Sequence, residues 1–73
     1  MSDYRPIACS THDRLEAAAT LRTTMHVTWR HEGEEAAALG VIEDLYVEDG
    51  AEYMRIAGHA VRLDRIKELR EAG

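Results

Sequence analysis

The spacing of apolar positions along the chain changes character several times. Leu15, Ala18 and Ala19 recur at three- and four-residue intervals, the spacing of one helical face. Ahead of them Pro6 keeps Arg5 out of helical geometry, so the first nine residues are expected to be irregular. Ser10 or Thr11 is the expected N-cap, and Ser10-x-x-Asp13 has capping-box spacing. Asp13 and Glu16 would then fall in the first turns, where negative charge complements the helix dipole. The helix should end near Leu21-Arg22, and Thr23-Thr24 leads into a stretch of different period.

From Met25 to Arg30 the alternation is strict. Met25, Val27 and Trp29 face one way and His26, Thr28 and Arg30 the other, which is a half-buried strand with Trp29 in the core. His31-Glu32-Gly33-Glu34 is a turn of hairpin length. The stretch Glu35–Val47 is ambiguous. Glu-Glu-Ala-Ala-Ala-Leu favours helix, whereas Gly40, the β-branched pair Val41-Ile42 and Leu45-Tyr46-Val47 favour strand. We read it as one long strand bending near Gly40. Glu48-Asp49-Gly50 and Ala57-Gly58-His59 are turns bracketing a strand at Ala51–Ile56, with Met54 and Ile56 toward the core. Ala60–Leu63 returns as a strand, and Asp64–Leu69 reads as a final short strand or a helical turn. The pattern predicts an α+β, mostly β domain spanning residues 1–73: an N-terminal helix on a small, strongly bent antiparallel sheet or barrel of four or five strands.

Length narrows the function classes. A chain of 73 residues buries only about 60% of its unfolded surface, enough for a binding surface but not for a deep catalytic pocket, so no enzymatic activity is expected. No apolar stretch approaches the roughly 20 residues that span a bilayer, and Met1-Ser2-Asp3-Tyr4-Arg5-Pro6 lacks the apolar run of a secretory signal. The expectation is a cytoplasmic protein without a membrane partner. The single cysteine, Cys9, excludes an internal disulfide and fits a reducing compartment.

Charge changes the picture more. The net charge is −5, and between His31 and Met54 lie eight acids (Glu32, Glu34, Glu35, Glu43, Asp44, Glu48, Asp49, Glu52) and no base. Outside that window six acids meet nine bases. Such a middle repels a phosphate backbone, whose binding needs Lys and Arg. It suits a basic protein, chiefly by speeding and orienting encounter. The competing explanation is that these charges simply keep a small domain in solution.

Candidate chemistry adds little. Cys9-x-x-His12 is half a metal site, but His26, His31 and His59 complete no second pair, so no metal or other cofactor is expected. As a nucleophile and base, Cys9 and His12 lack an orienting third group; a small buried residue and an exposed first-turn residue are the expected roles. Glu43-Asp44 and Glu48-Asp49 point to opposite strand faces, as neighbours in a strand must. Tyr53 beside Arg55 faintly suggests base stacking, against the acid-only window around it.

The run Tyr4-Arg5-Pro6-Ile7-Ala8-Cys9-Ser10-Thr11-His12-Asp13-Arg14-Leu15-Glu16-Ala17-Ala18 resembles the start of the Rho-binding antiterminator family: Tyr-x-Pro-Ile-x-Cys, two residues, an aromatic or His, then Asp-x-Leu-Glu and a small residue. Asp44-Leu45 before a polar turn, Glu52-Tyr53 after it and the closing Arg62-Leu63-Asp64-Arg65-Ile66 are also similar, so the resemblance covers nearly the whole chain. It implies an N-terminal helix on a bent, Sm-like five-stranded sheet, and Glu35–Val47 as strand. It further implies a non-enzymatic inhibitor that binds the hexameric termination factor Rho at or near its primary RNA-binding site and suppresses Rho-dependent termination. The matched contact candidates are Asp13 and Glu16, three apart on one helical face, with Tyr4 and His12 flanking them. Glu48, Asp49 and Glu52 join as turn acids, of which only Glu52 matches the family pattern. Ala36–Ala38 departs from it. The remaining alternatives are an Sm-like RNA-binding module, whose basic groove would have to come from Arg62, Arg65, Lys67 and Arg70, and an accessory or antitoxin-like binder of another basic protein. The alternating charges of Asp64–Glu71 blunt a sheet edge, so the free protein is expected to be monomeric and to bind no nucleic acid directly.

Overall fold

In the computed structural model, which describes residues 4–72, helix α1 (Cys9–Leu21) precedes strands β1 (Thr24–His31), β2 (Glu34–Glu48), β3 (Ala51–Ile56), β4 (His59–Arg62) and β5 (Ile66–Glu71), with a 3-10 turn (Leu63–Arg65) before β5. The strands make one antiparallel sheet in the order β4-β3-β2-β1-β5. This is the expected α+β, mostly β arrangement of a helix packed on a five-stranded sheet. The segment expected as strand or helical turn is both in succession. Residues 1–3 of the expected irregular start, and of the segment read for a secretory signal, lie outside the described residues. No helix among the described residues is long and apolar enough to cross a membrane.

The helix begins earlier than the capping pattern predicts. Ala8, extended at φ −60° and ψ 144°, is the N-cap, no side chain caps it, and the His12 N–H donates to the Ala8 carbonyl at 3.0 Å. Ser10 and Thr11 therefore lie inside the helix, the Ser10/Asp13 capping box does not form, and no acid falls in the first turn. Ile7 packs against the core just upstream, and this tertiary anchor, rather than a hydroxyl, sets where the chain turns. Cys9 is exposed instead of buried, because it lies on the side of α1 opposite the buried Leu15 and Ala18. The other end stops as expected. Arg22 adopts a left-handed conformation (φ 54°), its N–H donates to Ala19, and the Thr23 N–H donates to Ala18, the Schellman arrangement.

Three two-residue turns set the hairpin registers. Glu32-Gly33, Asp49-Gly50 and Ala57-Gly58 all have positive φ at both positions, which type I′ turns require and which matches the strands' twist. β2 pairs with β1 through Val41 and with β3 from Ile42 onward. The register slips between Ile42 and Asp44, making Glu43 the extra residue of a β-bulge, which bends and twists a strand. The irregularity expected at Gly40 thus lies three residues further on; a Cβ at Gly40 would meet Ala57 at an ordinary 3.7 Å.

The alanine-rich half of β2 is explained by what it faces. Ala36 lies opposite Trp29, Ala38 opposite Val27 and Gly40 opposite Met25, so each bulky residue of β1 is matched by a small one. That complementarity overrides helix propensity. Met25, Val27 and Trp29 join Leu15 and Ala18 of α1, Ile42, Met54, Ile56, Val61 and Leu63 in one core. Trp29 is buried as expected, its ring 5.4 Å from that of His59.

Candidate partner-binding site

The core positions of Leu15 and Ala18 fix the roll of α1, and this turns His12 and Glu16, four apart on the same side, toward the β2–β3 hairpin. There they meet Glu52. The His12 imidazole lies between two carboxylates, Nδ1 at 3.0 Å from Glu16 Oε1 and Nε2 at 3.2 Å from Glu52 Oε1. The second oxygen of Glu52 accepts the Tyr4 hydroxyl proton donor at 2.9 Å. Glu16, His12, Glu52 and Tyr4 therefore form one continuous polar run from helix to sheet to N-terminal segment. A cavity of about 220 Å³ opens beside it, walled by His12, Glu16, Leu45, Tyr46, Val47 and Glu52 among others.

The N-terminal segment is held in place by residues of the closing motif. Arg62 grips Asp64 through Nε and Nη2 at 2.7 and 2.8 Å, and its guanidinium lies 5.6 Å from the centre of the Tyr4 ring. Asp64 also accepts the Arg5 backbone N–H at 3.2 Å. The bond from Arg62 holds the Asp64 carboxyl below its ordinary range, against the opposing effect of burial. Burial, then the hydrogen bond to Glu52 and the nearby acid charges, push the Tyr4 hydroxyl from 10.0 up to about 12. Neither Arg62 nor Asp64 is marked for this site by periodicity or by the acidic window. Their signal was available: two opposite charges two apart at a strand end, within a motif already noticed.

Of the seven candidate residues, Tyr4, His12, Glu16 and Glu52 are brought into contact. Asp13 is exposed on the helix and Glu48 and Asp49 are exposed at the β2–β3 turn. Glu48 pairs across the strands with Ala51, the neighbour of Glu52, so the turn acids adjoin the run without joining it. Val47, outside the candidates read from the sequence, is 69% exposed directly opposite Glu52 and adds an apolar element to a charged surface. His12, expected to be simply exposed, is half-buried by its two carboxylates.

These groups do not form a metal centre. The carboxylates face opposite nitrogens of one ring rather than a common point, and among the described residues no group of three His, Cys, Asp or Glu side chains could hold an ion. Tyr53 and Tyr46 stack on each other at 5.4 Å and 12°, with Arg55 5.5 Å from the Tyr46 ring, so the aromatic faces already have partners within the sheet. The surface offers carboxylates, an exposed valine and a positioned tyrosine. Compared with known proteins, the chain matches no family model, no curated protein and no solved structure.

Proposed function

We propose that the protein is a non-enzymatic, cytoplasmic inhibitor of the transcription termination factor Rho, docking on the Rho hexamer at or near its primary RNA-binding site and so suppressing Rho-dependent termination. One observation carries the reading. Tyr4, His12 and Glu16 from the N-terminal motif and Glu52 from the Glu-Tyr motif, residues that the resemblance names and that lie up to 48 positions apart, are joined by consecutive polar contacts. Asp13 follows His12 on the exposed helix, and Glu48 and Asp49 extend the same negative surface. A site built for RNA phosphates presents Arg and Lys, which an acidic surface both attracts from a distance and pairs with on contact.

The test is a Rho pull-down with the parent and with Asp13→Lys/Glu16→Lys, each first verified as folded by circular dichroism. The parent should be retained and lose affinity as salt rises, since screening weakens attraction between exposed charges. Removing partly desolvated interfacial charges costs about 2–5 kcal/mol, so the double variant should be lost. A folded variant retained as well as the parent removes the helix face from the interface. Failure of Rho to retain the parent at low salt overturns the reading itself.

A further inference from the structure

The sheet has two edges, β4 and β5, and β5 is the longer, six residues against four. Its backbone groups can be sorted by the side they face. The Ala72 N–H donates to the Thr24 carbonyl of β1 at 2.9 Å, and bonding in an antiparallel ladder alternates from residue to residue. Arg70, opposite His26, therefore turns its N–H and C=O toward β1, whereas Leu69 and Glu71 turn theirs to the open side. The Leu69 carbonyl fits this assignment, because Arg14 of α1 reaches it from outside the sheet, Nη2 donating at 3.0 Å. The Leu69 N–H and both backbone groups of Glu71 have no partner among the described residues. Beside this edge a groove of about 340 Å³ runs between α1 and β5, walled by Arg14, Ala17, Leu21, Met25 and Arg70 among others. Leu21 is 75% exposed there, so edge and groove form one surface that the chain leaves uncovered.

The charges along the edge choose what can cover it. Glu68, Leu69 and Arg70 read acid, apolar, base, so an antiparallel copy of the same strand reads base, apolar, acid. With Leu69 opposite Leu69, the outward backbone groups of the two residues face each other as a hydrogen-bonded pair. Glu68 of each copy then lies opposite Arg70 of the other, and opposite charges directly across two strands attract. Sliding the copies by two residues is the smallest step that keeps the outward groups facing. It sets Glu68 against Glu68 or Arg70 against Arg70, and like charges at such positions are destabilising. Alternating charge thus blunts the edge against most strands while matching it to itself in a single register.

We infer that β5 is a self-recognition edge: two copies of this chain pair antiparallel through β5, symmetrically about Leu69, and join their sheets into one. The contact is two-fold and self-complementary, so it closes at the dimer. It is also short. The register of β5 on β1 passes from Thr28–Glu68 to Trp29–Ile66, which makes Lys67 the extra residue of a bulge and ends the regular ladder there. Association is correspondingly weak: the dilute protein stays monomeric and pairs on concentration. Glu68, Leu69 and Arg70 take no part in the Tyr4–His12–Glu16–Glu52 run, and the inference does not rest on the Rho reading.

Sedimentation equilibrium of the parent should show dimer growing with concentration, with a Kd of about 1 mM or tighter. Isotope-filtered NMR of the same sample should place the Glu68 Hα close to the Arg70 Hα of the second copy, since Cα atoms in a non-hydrogen-bonded pair are about 4.5 Å apart. Glu68 and Arg70 are exposed and their contact within the strand is 3.5 Å, so Glu68→Arg and Arg70→Glu should each stay folded by circular dichroism. Each alone should associate about tenfold more weakly or worse, because both cross-strand pairs become like-charged. Mixed in equal amounts, the two variants should associate as the parent does, each supplying the charge that the other's reversal requires. The inference is overturned by a parent that is monomeric at about 1 mM, by absence of the cross-copy contact, by undiminished association of either folded variant alone, or by failure of the mixture to associate. Protection of the Leu69 and Glu71 amides from exchange by Rho, but not by concentrating the protein, would make Rho the occupant and overturn it too. Rho retention of the parent is scored separately, so failure of the pairing is distinguishable from failure of the docking face.

Discussion

The helix–β3 seam and the β2–β3 turn carry the same charge on one continuous surface, yet their carboxylates are in different physical states. Glu16 and Glu52 lie within 3.2 Å of opposite nitrogens of the His12 ring, and Glu52 also accepts a hydrogen bond from Tyr4. Asp13, Glu48 and Asp49 make no hydrogen bond or ion pair among the described residues. A held carboxylate has already given up rotamer freedom and loses little more on docking, but part of its hydrogen-bonding capacity is taken. A solvated one contributes to the long-range field at once and must be ordered and desolvated on contact. In the proposed docking the seam would supply shape and the turn steering, a division that charge counting along the chain does not reveal.

The most severe way to break this comparison is to remove the core on which both regions rest. Trp29→Ala should cost about 3–5 kcal/mol in urea unfolding, a large share of the roughly 5–15 kcal/mol of a typical domain. Seam and turn should be lost together. A variant that melts like the parent but no longer binds would make Trp29 a contact residue instead.

A finer cut separates the two regions. Glu52→Gln leaves the shape but weakens the link to both His12 and Tyr4; because the group is partly solvated, the expected loss is about 0.5–1.5 kcal/mol. Asp49→Asn removes an equal charge at a left-handed position that Asn tolerates, so stability should stay within about 0.5 kcal/mol. Both should weaken capture by Rho. Equal melting curves for the two variants would erase the distinction between held and solvated acids.

The smallest effects are in pH. Asp64 has a depressed value in the fold, so its stabilising contribution is complete above the ordinary 3.8 and is lost as pH falls through the depressed value. Tyr4 has a raised value, so its contribution is complete below 10 and is lost as pH rises from there through about 12. An ultraviolet titration should show a late phenolate step that is absent from Tyr4→Phe, and Asp64→Asn should flatten the acid limb of stability. A Tyr4 step at the ordinary value would mean that the seam is open in solution.

Much of the fold could be read from periodicity. The alternation of Met25, Val27 and Trp29, the three Gly-containing turns and the β-branched Val41-Ile42 are local signals, and local signals determined those elements. The misplaced features depend on distant residues. Ala8 caps the helix because Ile7 is anchored in the core, and the bulge at Glu43 arises where β2 exchanges one partner strand for another. The candidate site divides in the same way. Helical spacing paired Glu16 with Asp13, but the structure joins it to His12; the bridge from His12 to Glu52 crosses 40 positions, and the Arg62–Asp64 clamp on the N-terminal segment follows from no periodic pattern.

The pairing of β5 with β1 bears on folding kinetics. The three hairpins close loops of two residues, but β5 joins β1 across spans as long as that from Met25 to Glu71. Closure entropy rises with the length of chain enclosed, and non-local pairings are correspondingly slow to form. The β1–β4 meander is expected to zip early, with β5 closing last. The Arg62–Asp64 clamp lies immediately before β5, and Arg14 of the helix donates to the Leu69 carbonyl within it. The helix and the Tyr4 segment are therefore tied to the slowest step. On this ordering, a half-folded chain presents a sheet without the seam, and recognition matures only when folding is complete.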